Sequence, residues 1–321
     1  MGRTHAFDAC SGGMAACYGM ACPLDDLAIP VPGENHAFNA DTSSLADFVP
    51  KGKLRRIDHY SRMALLACGR AIKDVAPSLF PRERTGVILA TGYGALSSTF
   101  SFLDSYIEKG DKLAFPTHFS NSVHNAAAAH ISICYNIKGP SLTVSQLDMS
   151  FFSALITAGS WLETWKTDAV LVGTADTYCK VMGYCINEFS IPRKRTPYSF
   201  GEGAAFFLVS RETHTRPRYG YIDQITMGQS REMEIPLDVD IIFTPSSIDF
   251  CDATPGELRV GHVRELKVRR HGFSPTDNSM DAAYALEGRQ RTCCIKRGQN
   301  GAWGKLMITP ADGGKNDEQS C

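Results

Sequence analysis

One stretch of the chain concentrates residues able to do chemistry. Asp148 stands between Ser145 and Ser150 in SLTVSQLDMSFF. There a run rich in β-branched residues (141–146) gives way to apolar residues at helical spacing (149–165). This change of period predicts a strand, a sharp turn near Gln146–Asp148 and a helix from about Met149. A side chain on such an elbow projects from the sheet edge, and the helix N-terminus behind it stabilises negative charge. Enzymes place nucleophiles at this point; a carboxylate there would serve as general base, with Ser145 or Ser150 beside it. The plainer reading makes Asp148 the N-cap of the helix, satisfying free backbone N–H groups.

Other reactive side chains carry less. His118, His124 and His130 are close in sequence, but the last two are six residues apart and fall on different sides of a helix, with His118 outside it. His124 and Asn125 are expected to brace a loop or a subunit contact, and His130 to pack in the core. Glu202, in the apolar run GEGAAFFLVS, reads as structural, bonding to backbone groups near the elbow. The 11 cysteines are odd in number and form no CxxC pair, which speaks against a disulfide framework or a zinc ribbon. Cys10, Cys17 and Cys22 with His5 match no zinc spacing. A reducing compartment is expected, with no metal and no cofactor.

The elements that must position these residues alternate. DHYSRMALLACGRAIKDV (58–75) is a predicted amphipathic helix with Asp58 as N-cap. TGVILATGYG (85–94) is a buried strand, followed by a helix over 97–108 that Lys109-Gly110 closes. A further helix is predicted over 122–135, its alanines at 126–129 allowing close approach. After the elbow come buried strands in 168–176 and 201–210. Strands in 219–228, 239–245 and 304–310 and a helix over 280–288 complete the pattern, while the basic run 262–272 reads as a solvated face. The result is an α/β protein with a largely buried sheet.

Composition removes whole classes. Of 321 residues, 43% are hydrophobic and 21% charged, as in a globular protein with a sizeable core. Net charge is −1 from 33 basic and 34 acidic residues, so no basic field gathers nucleic acid or an anionic membrane. No signal peptide and no membrane-spanning run is visible, and a cytoplasmic location is expected.

Four ordered motifs carry a resemblance. NAAAAHISICYNIKGPSLTVS, the helix after it, DAVLVGTAD and PYSFGEGAAFFLVS are similar to the β-ketoacyl synthases of the thiolase superfamily, over about residues 55–212. The resemblance implies a thiolase-like layered α/β/α/β/α fold from two pseudo-repeated halves. The halves would be residues 1–212, synthase N-terminal-like, and 213–321, reduced or diverged. It also implies that Asp148 occupies the place of the nucleophilic cysteine. A carboxylate is a poor nucleophile toward a thioester, and any acyl anhydride would hydrolyse. Of the family's two histidines, the first falls against IIFTPSSIDFCDAT, with Thr244 in its place. The second should precede the 280–288 helix, where His271 fits only in a shifted register and His262 less well. RGQNGAWGKLMI (297–308) stands imperfectly for the glycine-rich loop.

FSNSVHNA resembles short synthase-like proteins of aryl-polyene and polyketide systems, pointing to a chain-length-factor-like partner. The implied function is thus a non-condensing partner of an active β-ketoacyl synthase in fatty-acid or polyketide-type biosynthesis. It would pair through residues 141–146 and be served by an acyl carrier protein. Phe115, Phe151 and Phe152 are candidates for an acyl pocket, or are ordinary core aromatics. An altered acyl-processing enzyme centred on Asp148, or a homodimer that binds acyl chains or carrier protein without catalysis, are the alternatives.

Overall fold

The computed structural model describes residues 14–20, 39–110, 115–189, 201–211, 219–229, 238–244, 262–268, 274–288, 291–298 and 301–311. The first part of the chain runs β1 (Met14–Met20), α1 (Lys51–Leu54), α2 (His59–Lys73), β2 (Thr85–Thr91), α3 (Leu96–Lys109), α4 (Pro116–Ser122), α5 (Ala126–Tyr135), β3 (Ser141–Ser145), α6 (Ser150–Glu163), β4 (Ala169–Asp176), α7 (Lys180–Phe189) and β5 (Gly203–Ser210). The remainder is β6 (Gly220–Gln229), β7 (Asp238–Thr244), β8 (His262–Val268), α8 (Asn278–Gly288), β9 (Thr292–Arg297) and β10 (Ala302–Pro310).

The strands form a ten-stranded sheet in the order β3-β2-β4-β5-β1-β6-β10-β9-β7-β8. This order contains its own repeat. Read from one edge it is 3-2-4-5-1; read from the other it is 8-7-9-10-6, the same pattern advanced by five. Strand directions repeat as well. β2 pairs parallel with β3 and β4, as β7 does with β8 and β9. β5 then runs antiparallel to β4 and β1, as β10 does to β9 and β6. An antiparallel β1–β6 pair joins the two halves. The first frame extends from Met14 to Ser210 and the second only from Gly220 to Pro310, so the second half keeps its strands on much shorter connections.

Period-2 alternation sorts the core. Ile88, Val170, Val172, Phe207 and Val209 face one apolar cluster, which also holds Phe151, Phe152 and Leu155 of α6, Ala283 and Leu286 of α8, and Ile225 and Leu306 from the second half. Their sequence neighbours Val87, Leu89, Leu171, Phe206 and Leu208 face a second cluster with α2 and α5. Helices α6 and α8, in equivalent places of the two repeats, are thus the layer between the halves of the sheet. Gly304 makes room there, since a Cβ on it would meet the Phe152 ring at 2.3 Å.

Several local expectations hold. Asp58 caps α2, its Oδ1 accepting from Ser61 N at 3.1 Å, worth about 1 kcal/mol for such a cap. Gly110 closes α3 at φ +75°, where glycine carries no steric penalty. Others are corrected. The helix expected over 122–135 forms as α5 but starts only at Ala126, because Val123 adopts an extended backbone (ψ 138°) after the separate helix α4. His118 accordingly sits in a helix of its own, α4. His130 is only half-buried and does not lie in the core. Two strands were not expected: β8, which opens the basic run 262–272, and β9, whose alternation the flanking charges hide.

Candidate functional site

The elbow forms where the period change places it. β3 ends at Ser145, a 3₁₀ turn spans Leu147–Met149, and α6 starts at Ser150. Leu147 takes φ +47°, a left-handed conformation uncommon for leucine, so the turn is held by its surroundings. Ser150 supplies much of that hold. Its buried Oγ accepts from Gln146 N at 2.7 Å and lies 2.7 Å from Leu147 O and 2.9 Å from Thr91 O. The serine is therefore committed to the turn. Ser145 is exposed at the end of β3.

Asp148 is not the N-cap of α6. Met149 occupies that position, and no side chain caps the helix. The Asp148 carboxylate instead meets Lys296 of β9, Nζ to Oδ1 3.5 Å, with 15% of its side chain exposed. Lys296 is wholly buried and also donates to Asp277 Oδ1 at 2.7 Å and to Ser274 O at 3.2 Å. Burying an ammonium is costly unless paired, and here two carboxylates and a carbonyl supply the pairing. Asp277 directly precedes α8, so the leading ends of α6 and α8 approach one another through this lysine.

A second buried carboxylate supports the same corner. Asp176, at the end of β4, accepts from Thr91 Oγ1 (2.7 Å), Gly92 N (3.0 Å), Tyr93 N (2.9 Å) and Thr276 Oγ1 (2.5 Å). Burial pushes its carboxyl above the usual range, against the pull of those four donors. The bonds tie the turn after β2 to the segment leading into α8. Packing is equally close: a Cβ on Gly92 would meet Pro275 at 2.2 Å and the Leu147 backbone at 3.6 Å.

The remaining predicted residues disperse. Phe151 and Phe152 are core aromatics, Phe151 lying 5.8 Å from the Phe207 ring. Phe115 is on the surface, with Lys109 Nζ 4.5 Å above its ring. His124 is exposed; its ring sits against Gly94 (φ +66°), with Nε2 3.4 Å from Tyr93 O. Asn125 lines an open groove of about 550 Å³ between α4 and α5, together with Arg56, Asn121, Val123, His130 and Ile133. Burial holds the His130 imidazole below its ordinary pKa.

Glu202 is a buried tie, accepting from Ala40 N (3.1 Å), Tyr178 N (3.1 Å) and His59 Nε2 (2.7 Å). The backbone it binds belongs to Ala40 and Tyr178, not to the elbow. For Thr244 and His262 the structure describes backbone alone, and His271 and most of 241–254 lie outside the described residues. Among the described residues no cluster suits a metal ion and no helix is long and apolar enough to cross a membrane.

Sequence reasoning passed over Lys296, Asp277 and Asp176. One signal was available. In TCCIKR the lysine stands two residues from Cys294 and so shares its face of the strand, the face that meets the core, a position that demands a buried acid.

Comparisons bear on the fold and the family. The model of the β-ketoacyl synthase N-terminal domain matches residues 15–188. A 3-oxoacyl-[acyl-carrier-protein] synthase 2 of Mycobacterium tuberculosis is 22% identical over 250 residues, 73% of this chain and 57% of the relative. One from Staphylococcus aureus is 20% identical over 285 residues, 78% of this chain and 69% of the relative. The chain therefore spans little more than half the mycobacterial relative. Among solved structures, the ishigamide ketosynthase/chain length factor superposes with a TM-score of 0.76 at 14% identity, covering 94% of this chain and 99% of that one. A β-ketoacyl synthase from Burkholderia phymatum gives 0.61, also at 14% identity, covering 96% and 97%. These likenesses establish the thiolase-like fold, which the duplicated strand order already displays. With the family model covering more than half of its residues, the chain belongs to the β-ketoacyl synthase family.

Proposed function

We propose that this chain is a ketosynthase-like subunit of fatty-acid or polyketide-type biosynthesis that does not itself condense. In this reading it is the chain-length-factor-like partner of an active β-ketoacyl synthase, and an acyl carrier protein serves the pair. The observation that carries the reading is the Asp148–Lys296 contact. Where the family's cysteine would stand, the elbow bears a carboxylate already engaged by a buried ammonium at 3.5 Å. A group so paired is neither a free nucleophile nor a base free to take a proton, which weighs against an altered enzyme built on Asp148. A structural neighbour that is a ketosynthase/chain length factor supports the pairing, and a type II PKS ketosynthase in complex with its acyl-carrier protein (TM-score 0.69, 14% identity) supports the carrier-protein part of the reading.

The surface for a second subunit would be β3, an edge strand with Ser141, Leu142 and Ser145 exposed. A self-pair would use the same edge. We divide the chain at residue 212 for this purpose, the first part carrying β3 and the elbow and the second supplying Lys296. Purification with a co-encoded synthase tests the proposal: the two chains are expected to co-elute, and the synthase alone to lose chain-length control. A synthase fully active and correctly terminating alone, with no co-elution, would sink it. Asp148→Ala should leave any residual acyl processing unchanged.

A further inference from the structure

Position 148 is surrounded by more than one lysine contact. On β9, Lys296 places Nζ 3.5 Å from Asp148 Oδ1. Ahead of α8, Asp277 holds the same Nζ at 2.7 Å. From β4, Asp176 reaches this corner through Thr276, its own charge met by four donors. From the turn after β2, Tyr93 lies within electrostatic range of Asp148, its phenol raised above the ordinary value chiefly by burial. Behind position 148 runs α6, whose N-terminus carries partial positive charge and no side-chain cap. Next to Asp277 in sequence, Asn278 opens α8 with 1% exposure, and among the described residues neither its amide nitrogen nor its amide oxygen finds a hydrogen-bond partner.

We propose that Lys296 is the positioning residue for negative charge at position 148, so that the elbow keeps the electrostatics of a nucleophile site although the chain fills it with its own carboxylate. In the protein as it stands, Lys296 fixes the Asp148 carboxylate. In Asp148→Cys the same ammonium and helix end would favour the thiolate over the thiol. The proposal concerns this corner alone and is separable from pairing with a synthase, which co-elution reads.

The experiment is a pH–rate profile of iodoacetamide alkylation at position 148, resolved from the other cysteines by peptide mass spectrometry. Three variants are compared: Asp148→Cys, Asp148→Cys with Lys296→Gln, and Asp148→Cys with Asp277→Asn. The first is expected to react with a midpoint at least about one pH unit below the ordinary thiol value of ~8.5. Lys296→Gln should move the midpoint up, and Asp277→Asn, which removes a negative charge 2.7 Å from the Lys296 ammonium, should move it down. Opposite shifts of this kind would not come from a merely structural lysine. A midpoint at or above ~8.5 in Asp148→Cys overturns the proposal, as does one indifferent to Lys296→Gln. Should the Lys296→Gln chain fail to fold, by circular dichroism, the Asp277→Asn variant decides: an unchanged midpoint there overturns it as well.

Discussion

Lys296 Nζ lies 2.7 Å from Asp277 Oδ1 at full burial, and the same ammonium reaches Asp148 in the other repeat. One side chain thus links the elbow before α6 to the segment before α8. Removing it takes a buried cation from beside Asp277 and from beside Asp148. Lys296→Met is expected to cost about 3–5 kcal/mol, measured by urea unfolding. Lys296→Met with Asp277→Leu should recover most of that loss, since an apolar replacement of a buried pair is often neutral. A single substitution that costs nothing would contradict the buried pairing.

A second prediction concerns pH. The hydrogen bond to the Glu202 carboxylate raises the His59 pKa above 6.5, more than burial lowers it. A group raised in the folded state stabilises fully below its unfolded pKa and loses that contribution as pH rises through the folded value. Thermal stability should therefore decline from about pH 6 upward through the raised His59 value. With His59 45% exposed, solvent screening keeps the effect under about 1 kcal/mol. In His59→Gln this part of the profile should flatten; an identical profile would remove His59 as its source.

Gly304 and Phe152 form a matched pair across the middle layer. A Cβ on Gly304 would lie 2.3 Å from the ring, so Gly304→Ala is expected to destabilise by about 1–3 kcal/mol. Phe152→Leu in the Gly304→Ala background should restore part of this. Additive losses in the double-mutant cycle would show that the two positions do not meet.

Asp176 is the acceptor for two hydroxyls and two backbone N–H groups. Asn would turn one acceptor oxygen into a donor facing donors. Asp176→Asn should cost about 1–3 kcal/mol and speed amide hydrogen exchange at Gly92 and Tyr93. Unchanged protection at those two amides would rule out the assigned contacts.

Much of the frame was legible because it is local. The apolar runs at 85–91 and 169–176, the cap at Asp58 and the change of period at 146–150 each lie within a few residues, where propensity and alternation operate. The late start of α5 was less legible, since nothing in the residues just ahead of its alanines marks Val123 as extended. Phe115, Phe151 and Phe152 looked alike in sequence, yet one is a surface ring and two are core, because only packing decides which face of an element is covered.

By itself, then, the sequence determined that a carboxylate stands on a strand-to-helix elbow in a β-ketoacyl synthase-like first half. Only the tertiary structure decided what that carboxylate does. Its partner lies far along the chain on β9, and Lys296 comes within 3.5 Å only because the duplicated sheet brings the leading ends of α6 and α8 together. Pattern within a window cannot encode such a meeting. Folding enforces it, since a fully buried ammonium has no water to turn to and must find the acids that stand just ahead of α6 and α8.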